Sequence, residues 1–358
     1  MTQSAVLPRP GTAAGELPRT SHILRAVALT SAGLLAFALS IGVAATLGPA
    51  DVSLVNVRDI LLNHAGLADI PVRVVEDAIV WEERLPRAVV AGACGAGLAL
   101  CGVVLQSLLR NQLADPFVLG VSSGASTGAV LIGVLGLGGG ALGLSGGAFV
   151  GALVAFGSVL LLARVAGRGT SGIILAGIAG TQLFSAVTSL VVFAFADSDE
   201  TRGVMFWLLG SLEGMRWNDV GLSVVVVLFG GAVCALSTRT LDAFAFGEDV
   251  AASLGVHVAR TRIVLLVATA LLTATLVSIA GAIGFVGLVL PHAARLVVGH
   301  RHAKVIPAAA ILGAIFMVWV DAGSRTVFAP TPLPVGVGTA LIGVPVFVML
   351  LARKWRAG

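Results

Sequence analysis

The sequence predicts an all-α polytopic membrane protein of about ten transmembrane helices. Two observations predict it: a composition of 57% hydrophobic and 11% charged residues with a mean hydropathy of +1.03, and apolar stretches that recur at spanning length. A soluble chain carries about 25% charged residues, so the surplus apolar surface here requires lipid. A spanning helix uses roughly 20 apolar residues. Such stretches run from 23 to 47, 88 to 108, 117 to 135, 148 to 166, 172 to 195, 218 to 237, 262 to 280, 282 to 298, 305 to 320 and 335 to 351. The long run from 262 to 298 is divided at Gly281 and Gly284, because glycine punctuates helices.

The 46 glycines fit this reading. In lipid, small residues let helix backbones approach, which makes Gly92, Gly95 and Gly97 on the second span, and Gly177 and Gly180 on the fifth, packing surfaces. Cys94, Cys101 and Cys234 all fall within spans as buried free thiols. The first two are seven residues apart on one helix, about 10.5 Å by helical rise, which is too far to bridge.

Residues 1–20 are rich in Pro, Gly, Ser and Thr without periodicity and are expected to form a disordered cytoplasmic tail, leaving 21–358 as the membrane domain. The first apolar run is too long for a cleavable signal, and no small-residue cleavage site follows it, so it is expected to persist as span one. A second low-complexity stretch, Gly136 to Gly147, is a glycine-rich connector.

With the N-terminus inside, ten spans place 15 of the 22 Lys and Arg residues on the cytoplasmic side and 7 outside. The positive-inside rule favours this orientation, with both termini cytoplasmic. Of the acidic residues, 5 lie inside and 13 outside, so the net charge of +4 hides a basic inner face opposite an acidic outer one, with no sign of a nucleic-acid partner.

Intramembrane carboxylates mark proton or sodium relays. No Asp, Glu or Lys falls in the middle of a span; Asp219 and Asp321 lie at span ends. An ion-coupled secondary carrier is therefore disfavoured. A phosphate-binding loop needs Gly-Lys followed by Ser or Thr, whereas the only lysines, Lys304 and Lys354, follow Ala and Arg. Nucleotide energy would have to come from another subunit. Carrier, channel and ATP-driven permease stay open on composition alone.

The motifs narrow this choice. RLPR at 84–87 is followed by RNQLADPFVLGVSSGAS at 110–126, WLLGSL at 207–212, GEDVAASLGV at 247–256 and GAIGFVGLVLPHAARLVVGHRH at 281–302. In order and spacing these segments resemble the iron-siderophore and cobalamin (FecCD-type) permease family of ABC importers, from about residue 80 to the C-terminus. The resemblance implies a type II ABC importer permease in the bacterial cytoplasmic membrane, acting on a ferric siderophore, with cobalamin or haem as the alternative. It implies as partners two ATP-binding subunits, a substrate-binding lipoprotein or periplasmic protein, and a second permease copy or paralogue. ATP and Mg would belong to the ATPase, and this chain would need no cofactor and would carry out no covalent chemistry.

Residues 110–126 also make physical sense. Asn111, Asp115 and Pro116 interrupt the helical pattern, and Ser122, Ser123 and Ser126 with Gly120, Gly124 and Gly128 then open span three. Small hydroxyl residues suit either a plain packing interface or hydrogen bonds to a passing polar substrate. By resemblance, Asn111 and Leu113 narrow the cytoplasmic exit together with Thr170 and Ser171, while Gln112 stands where the family usually has Pro.

The connector 238–262 is the longest cytoplasmic one, and 247–256 reads as a short amphipathic helix. Glu248 and Asp249 favour its positive N-terminal end, while Val250, Leu254 and Val256 offer apolar knobs. The resemblance makes this the coupling helix that docks into the ATPase, with Gly247, Glu248, Asp249, Leu254 and Gly255 as its motif residues. On the outer side Arg84, Arg87 and Arg325 sit at span ends, where arginine often snorkels. The resemblance instead gives them carboxylate partners on the binding protein. His300 and His302 flank Arg301, near His292, at a spacing that does not suit a metal, so no metal site is expected. Trp207 and Trp217 are candidate interfacial anchors.

This topology predicts that a cysteine placed at Asp199 reacts with an impermeant thiol reagent on intact cells, and one at Asp242 only after permeabilisation. Equal labelling of both in intact cells would overturn the ten-span arrangement.

Overall fold

Glycine and proline set most boundaries between the apolar stretches, and the chain is helical between them. The computed structural model describes residues 19–136, 143–167, 170–329 and 331–356. Its helices are α1 (Arg19–Thr46), α2 (Leu54–His64), α3 (Val74–Ala78), α4 (Leu85–Leu108), α5 (Val121–Leu135), α6 (Leu144–Ala166), α7 (Thr170–Phe195) and α8 (Ser198–Leu208). They continue as α9 (Trp217–Leu236), α10 (Thr238–Ala245), α11 (Glu248–Ser253), α12 (Val258–Ala280), α13 (Val286–Val298), α14 (His302–Thr326) and α15 (Val335–Arg356). A π turn, Ile79–Arg84, joins α3 to α4, and a 3-10 turn, Pro116–Leu119, precedes α5. No strand occurs among the described residues.

Among the described residues seven helices are long and apolar enough to cross a membrane, and the shorter apolar helices Val121–Leu135, Val286–Val298 and Val335–Leu350 bring the apolar helices to about the ten expected. The differences from the sequence expectation lie at the ends. Span two continues outward to Val74, span three begins at Val121 rather than 117, and span eight begins at Val286 rather than 282. The expected tail at 1–20 falls outside the described residues except for Arg19 and Thr20, which open α1. Residues 137–142, half of the glycine-rich connector, fall outside them too.

Helix α4 is the hub. In the continuous span Val74–Leu108 the most apolar window is 94% buried, against 11% in α1 and 17% in both α7 and α9. A helix that is apolar all round and buried all round belongs to the core, whereas the exposed apolar faces of α1, α7 and α9 are surfaces for lipid. Pro86, at the second position of α4, follows directly on the π turn, where the helical hydrogen-bond pattern changes. A methyl group added at Gly95 would collide with the carbonyl of Gly313 on α14, so the two helices cross backbone to backbone. On the other side of the molecule α5 and α6 use Gly124, Gly128, Gly147 and Gly151 in the same way.

The outer ends of α1, α4 and α14 are tied by three arginines. Arg84 donates to the carbonyls of Ala45 (2.9 Å), Thr46 (3.1 Å) and Ala50 (2.6 Å). Arg325 donates to Leu47 (3.1 Å) and Ala44 (3.2 Å). These oxygens lie at and just beyond the end of α1, where carbonyls lack the next helical turn and the helix dipole also favours a cation; that of Ala44 accepts from the Leu47 N–H as well. Arg87 Nε donates to Asp321 Oδ1 at 2.7 Å, and Arg325 Nε lies 3.2 Å from the other oxygen of Asp321 without hydrogen-bond alignment. Asp321 is 0% exposed, and Arg84, Arg87 and Arg325 are 3%, 5% and 5% exposed.

The three arginines, expected at the outer rim, face inward onto α1 and Asp321 in this conformation. The outer surface nearby is built instead by α2, α3 and a ring stack. His64 lies on Trp81 at 3.9 Å, and Trp217, which donates to the carbonyl of Trp81, packs against that indole at 4.7 Å. Trp217 is thus held by packing.

Removing one partner of a buried ion pair leaves the other charge uncompensated, at about 3–5 kcal/mol. Asp321→Ala is therefore expected to lower the thermal stability of the detergent-solubilised protein strongly. The double change Arg87→Leu with Asp321→Leu is expected to recover part of the loss, because it removes a matched pair. Unchanged melting of the Asp321→Ala protein would show that the cluster holds nothing together.

Candidate translocation pathway and coupling surface

Two breaks in the helices face each other inside the molecule. In the first, Asp115 accepts from the Phe117 N–H (2.9 Å) and opens the turn Pro116–Leu119, and Gly120 at φ 72 passes the chain into α5. In the second, α12 stops at Gly281 (φ 70), and non-helical backbone runs to Phe285, whose φ of 67 is rare for a residue with a bulky side chain. A methyl at Gly287 would meet Pro116 and the carbonyl of Leu98, and one at Gly284 would touch the Phe117 ring. The turn also presses on α7, where a methyl at Gly177 would strike the carbonyl of Val118. Non-helical backbone at membrane depth survives only where protein covers it or a cavity solvates it. Two such segments packed together therefore mark the part of the fold that a pathway would use.

Gln106, buried on α4, clamps the second break. Its amide donates to the carbonyls of Gly287 and Leu288, both at 3.2 Å, while Arg295 of α13 donates to its oxygen. Sequence reasoning passed over Gln106. The signal was there, since an amide in an otherwise apolar span needs partners. Below it, the ring of His292 lies 3.2 Å from the Leu288 carbonyl and 3.4 Å from Gln112.

The turn at the cytoplasmic end of α4 is an Asx turn in which Asn111 Oδ1 accepts from the Leu113 N–H at 2.9 Å, leaving the Leu113 side chain 55% exposed. Thr170 and Ser171 open α7, half-buried and exposed respectively. Among the described residues no side-chain hydrogen bond joins them to the Asn111 turn. The serines of α5 spend their protons locally. Ser123 donates to Gly120 (3.0 Å) and Ser126 to Ser122 (3.1 Å), so both reach a substrate only through lone pairs, and Ser122 is half-buried. Thr127, not singled out from the sequence, links α5 to α7 through Thr188 Oγ1 and the Phe184 carbonyl, each at 2.8 Å.

Beside the second break, an open recess of about 610 Å³ is bounded by Leu208, Leu209, Ala282, Val337, Leu341 and Val344. Its wall is apolar, and α15 forms one side. Among the described residues no cluster of three potential metal ligands occurs.

In the connector between α9 and α12, α10 is anchored by Leu241 and Phe244, both fully buried. The helix that follows is shorter than expected. Gly247, at φ 112, lies before α11, Leu254 is its C-terminal cap, and Gly255 turns the chain at φ 84. Glu248 is paired with Arg262 of α12, and Asp249 is exposed. Ala251 seats the helix at 0% exposure, while Phe246, Val250 and Leu254 stand out at 74%, 42% and 66%. Phe246, just outside the recognised motif, is the most exposed of the three.

The FecCD transport family matches residues 34–353. The chain belongs to that family. It is 44% identical over 285 residues to a cobalamin import system permease protein, BtuC, of Halobacterium salinarum, covering 78% of this chain and 75% of the relative. It is also 33% identical over 349 residues to the iron(3+)-hydroxamate import system permease protein FhuB of Bacillus subtilis, covering 97% and 88%. A solved structure described as an inward-facing metal-chelate type ABC transporter superposes with a TM-score of 0.79 at 29% identity, covering 91% of this chain and 99% of that one. This FecCD-family chain is a multi-pass ABC importer permease, and membership implies ATPase and substrate-binding partners.

Burying a charge in a desolvated apolar interface costs several kcal/mol. Leu254→Asp and Phe246→Asp are therefore each expected to abolish copurification of an ATPase subunit, with permease abundance unchanged because both residues lie outside the lipid and outside the core. An intact complex carrying both substitutions would remove α11 as the docking element.

Proposed function

We propose that this FecCD-family permease carries a bulky metal chelate inward across the cytoplasmic membrane, with cobalamin as the preferred substrate. The paired helix breaks at 116–120 and 281–285 carry the transport reading, because they gather non-helical backbone, glycine surfaces and an open recess in one place. Cobalamin is preferred because of the 44% identity to a cobalamin permease. A ferric hydroxamate siderophore is the second reading, supported by the relative that matches 97% of this chain.

In this proposal a binding protein delivers the chelate from outside, and a second copy or a paralogue faces the recess beside α15. Two ATP-binding subunits, which hold the ATP and Mg, grip Phe246, Val250 and Leu254 from the cytoplasm. Their closure alternates the access of the pathway, and Asn111 and Leu113, with Thr170 and Ser171, form the inner gate. Both termini lie in the cytoplasm. The chain itself binds, orients and releases its substrate without making or breaking covalent bonds.

Labelled cobalamin and labelled ferric hydroxamate should be offered to a strain lacking this gene and to the same strain with the gene restored. Restored cobalamin uptake is expected. Restoration of ferric hydroxamate alone would establish the siderophore reading, and restoration of neither would end both.

A further inference from the structure

Near the cytoplasmic ends of α4 and α14 a chain of hydrogen bonds reaches α10. Asp242 of α10 accepts from the backbone N–H of His302 at 3.0 Å, and the same oxygen lies 2.6 Å from Nδ1 of the His302 ring. The other ring nitrogen lies 2.6 Å from Ser107 Oγ on α4, and Ser107 also bonds the Val103 carbonyl at 2.9 Å. The His302 side chain is 5% exposed and that of Asp242 39%. Ser107 is buried.

The order Ser, His, Asp is that of a hydrolytic triad. A nucleophile needs a reachable reacting atom beside it; Ser107 is buried in the helix bundle and its proton is held by the Val103 carbonyl. The arrangement is a link between helices.

We propose that Asp242, His302 and Ser107 are positioning residues that carry motion of the coupling segment to α4 and α14 during transport. The proposal rests on the ATP-driven reading above. Only Phe246 and Gly247 separate α10 from α11, so a displacement of α11 by an ATPase pulls directly on α10. Apolar burial of Leu241 and Phe244 holds α10 against the bundle. Directional bonds at both ring nitrogens of His302 fix its register, which is what transmission of a small movement requires. On α4, one turn contains both Ser107 and Gln106, and Gln106 grips the carbonyls of Gly287 and Leu288 in the first turn of α13, just after the second break. The relay thus connects the ATPase face to the pathway through α4.

A capping role alone makes a different prediction, because Asp242 accepts the His302 backbone N–H at the first turn of α14. His302→Ala keeps that bond and cuts only the path to Ser107. In vesicles holding the complete importer with its binding protein, ATP hydrolysis and uptake of labelled cobalamin should be measured together, or of labelled ferric hydroxamate where the uptake comparison selects it. His302→Ala is expected to lower uptake per ATP hydrolysed by about five-fold or more, at normal assembly and melting temperature. Ser107→Ala, which removes a single hydroxyl, should act in the same direction, and His302→Gln should restore part of the ratio. An unchanged ratio in both His302→Ala and Ser107→Ala would overturn the relay, even if both rates fell together with complex abundance. Failure of the ATP-driven reading would look different, since the wild-type vesicles would then show no ATP-dependent uptake.

Discussion

Helix α4 meets α14 and α13 with backbone against backbone, and the rest of the structure depends on that spacing. At Gly95 and Gly313, and again at Gly102 and Gly287, no side chain separates the crossing helices. In lipid, apolar side chains gain little by leaving one hydrocarbon environment for another, so close van der Waals contact and polar pairing must supply the cohesion. The Gly102 contact brings the start of α13 within reach of Gln106, so carbonyls beside a helix break meet a donor instead of hydrocarbon. The Gly95 contact in turn sets α14 where Asp321 can receive Arg87.

The two polar clamps sit at opposite ends of the same helix and solve the same problem. Outside, guanidinium groups meet the carbonyls at the end of α1. Inside, an amide meets carbonyls at the start of α13, and Arg295 supports the amide. Between them α4 carries only small and apolar residues, which is why it can be buried on all sides.

The helical class and the spans were legible because the lipid requirement is written into composition, and each span repeats the signal. A short helix within 247–256 was legible through its motif, although the structure shortens it to Glu248–Ser253 and adds Phe246 to the exposed apolar face. The direction of Arg84, Arg87 and Arg325 was not legible. An arginine at a span end can turn toward water or toward carbonyls, and the choice rests on α1 and Asp321, which are distant in sequence. The start of span three was misplaced because residues 117–119 are as apolar as the helix they precede. Only the unfavourable fit of helical backbone beside α7 and α13 reveals them as a turn. The hydrogen bonds of His302 were not legible either, since Ser107 and His302 are 195 positions apart.

The π turn at Ile79–Arg84 has a mechanical meaning. It continues the helix instead of ending it, so Val74 to Leu108 forms one rod of 35 residues, about 52 Å long at 1.5 Å per residue. The hydrocarbon layer is about 30 Å thick, and a stem of α3 and the π turn therefore stands clear of it. Glu82 and Glu83 ride on the water side of that stem while Arg84 and Arg87 turn inward, so a single shaft bears an acidic head, a cationic collar and, at its far tip, Gln106 and Ser107. The π turn and Pro86 are where this long helix is able to bend, between its acidic head and the buried remainder.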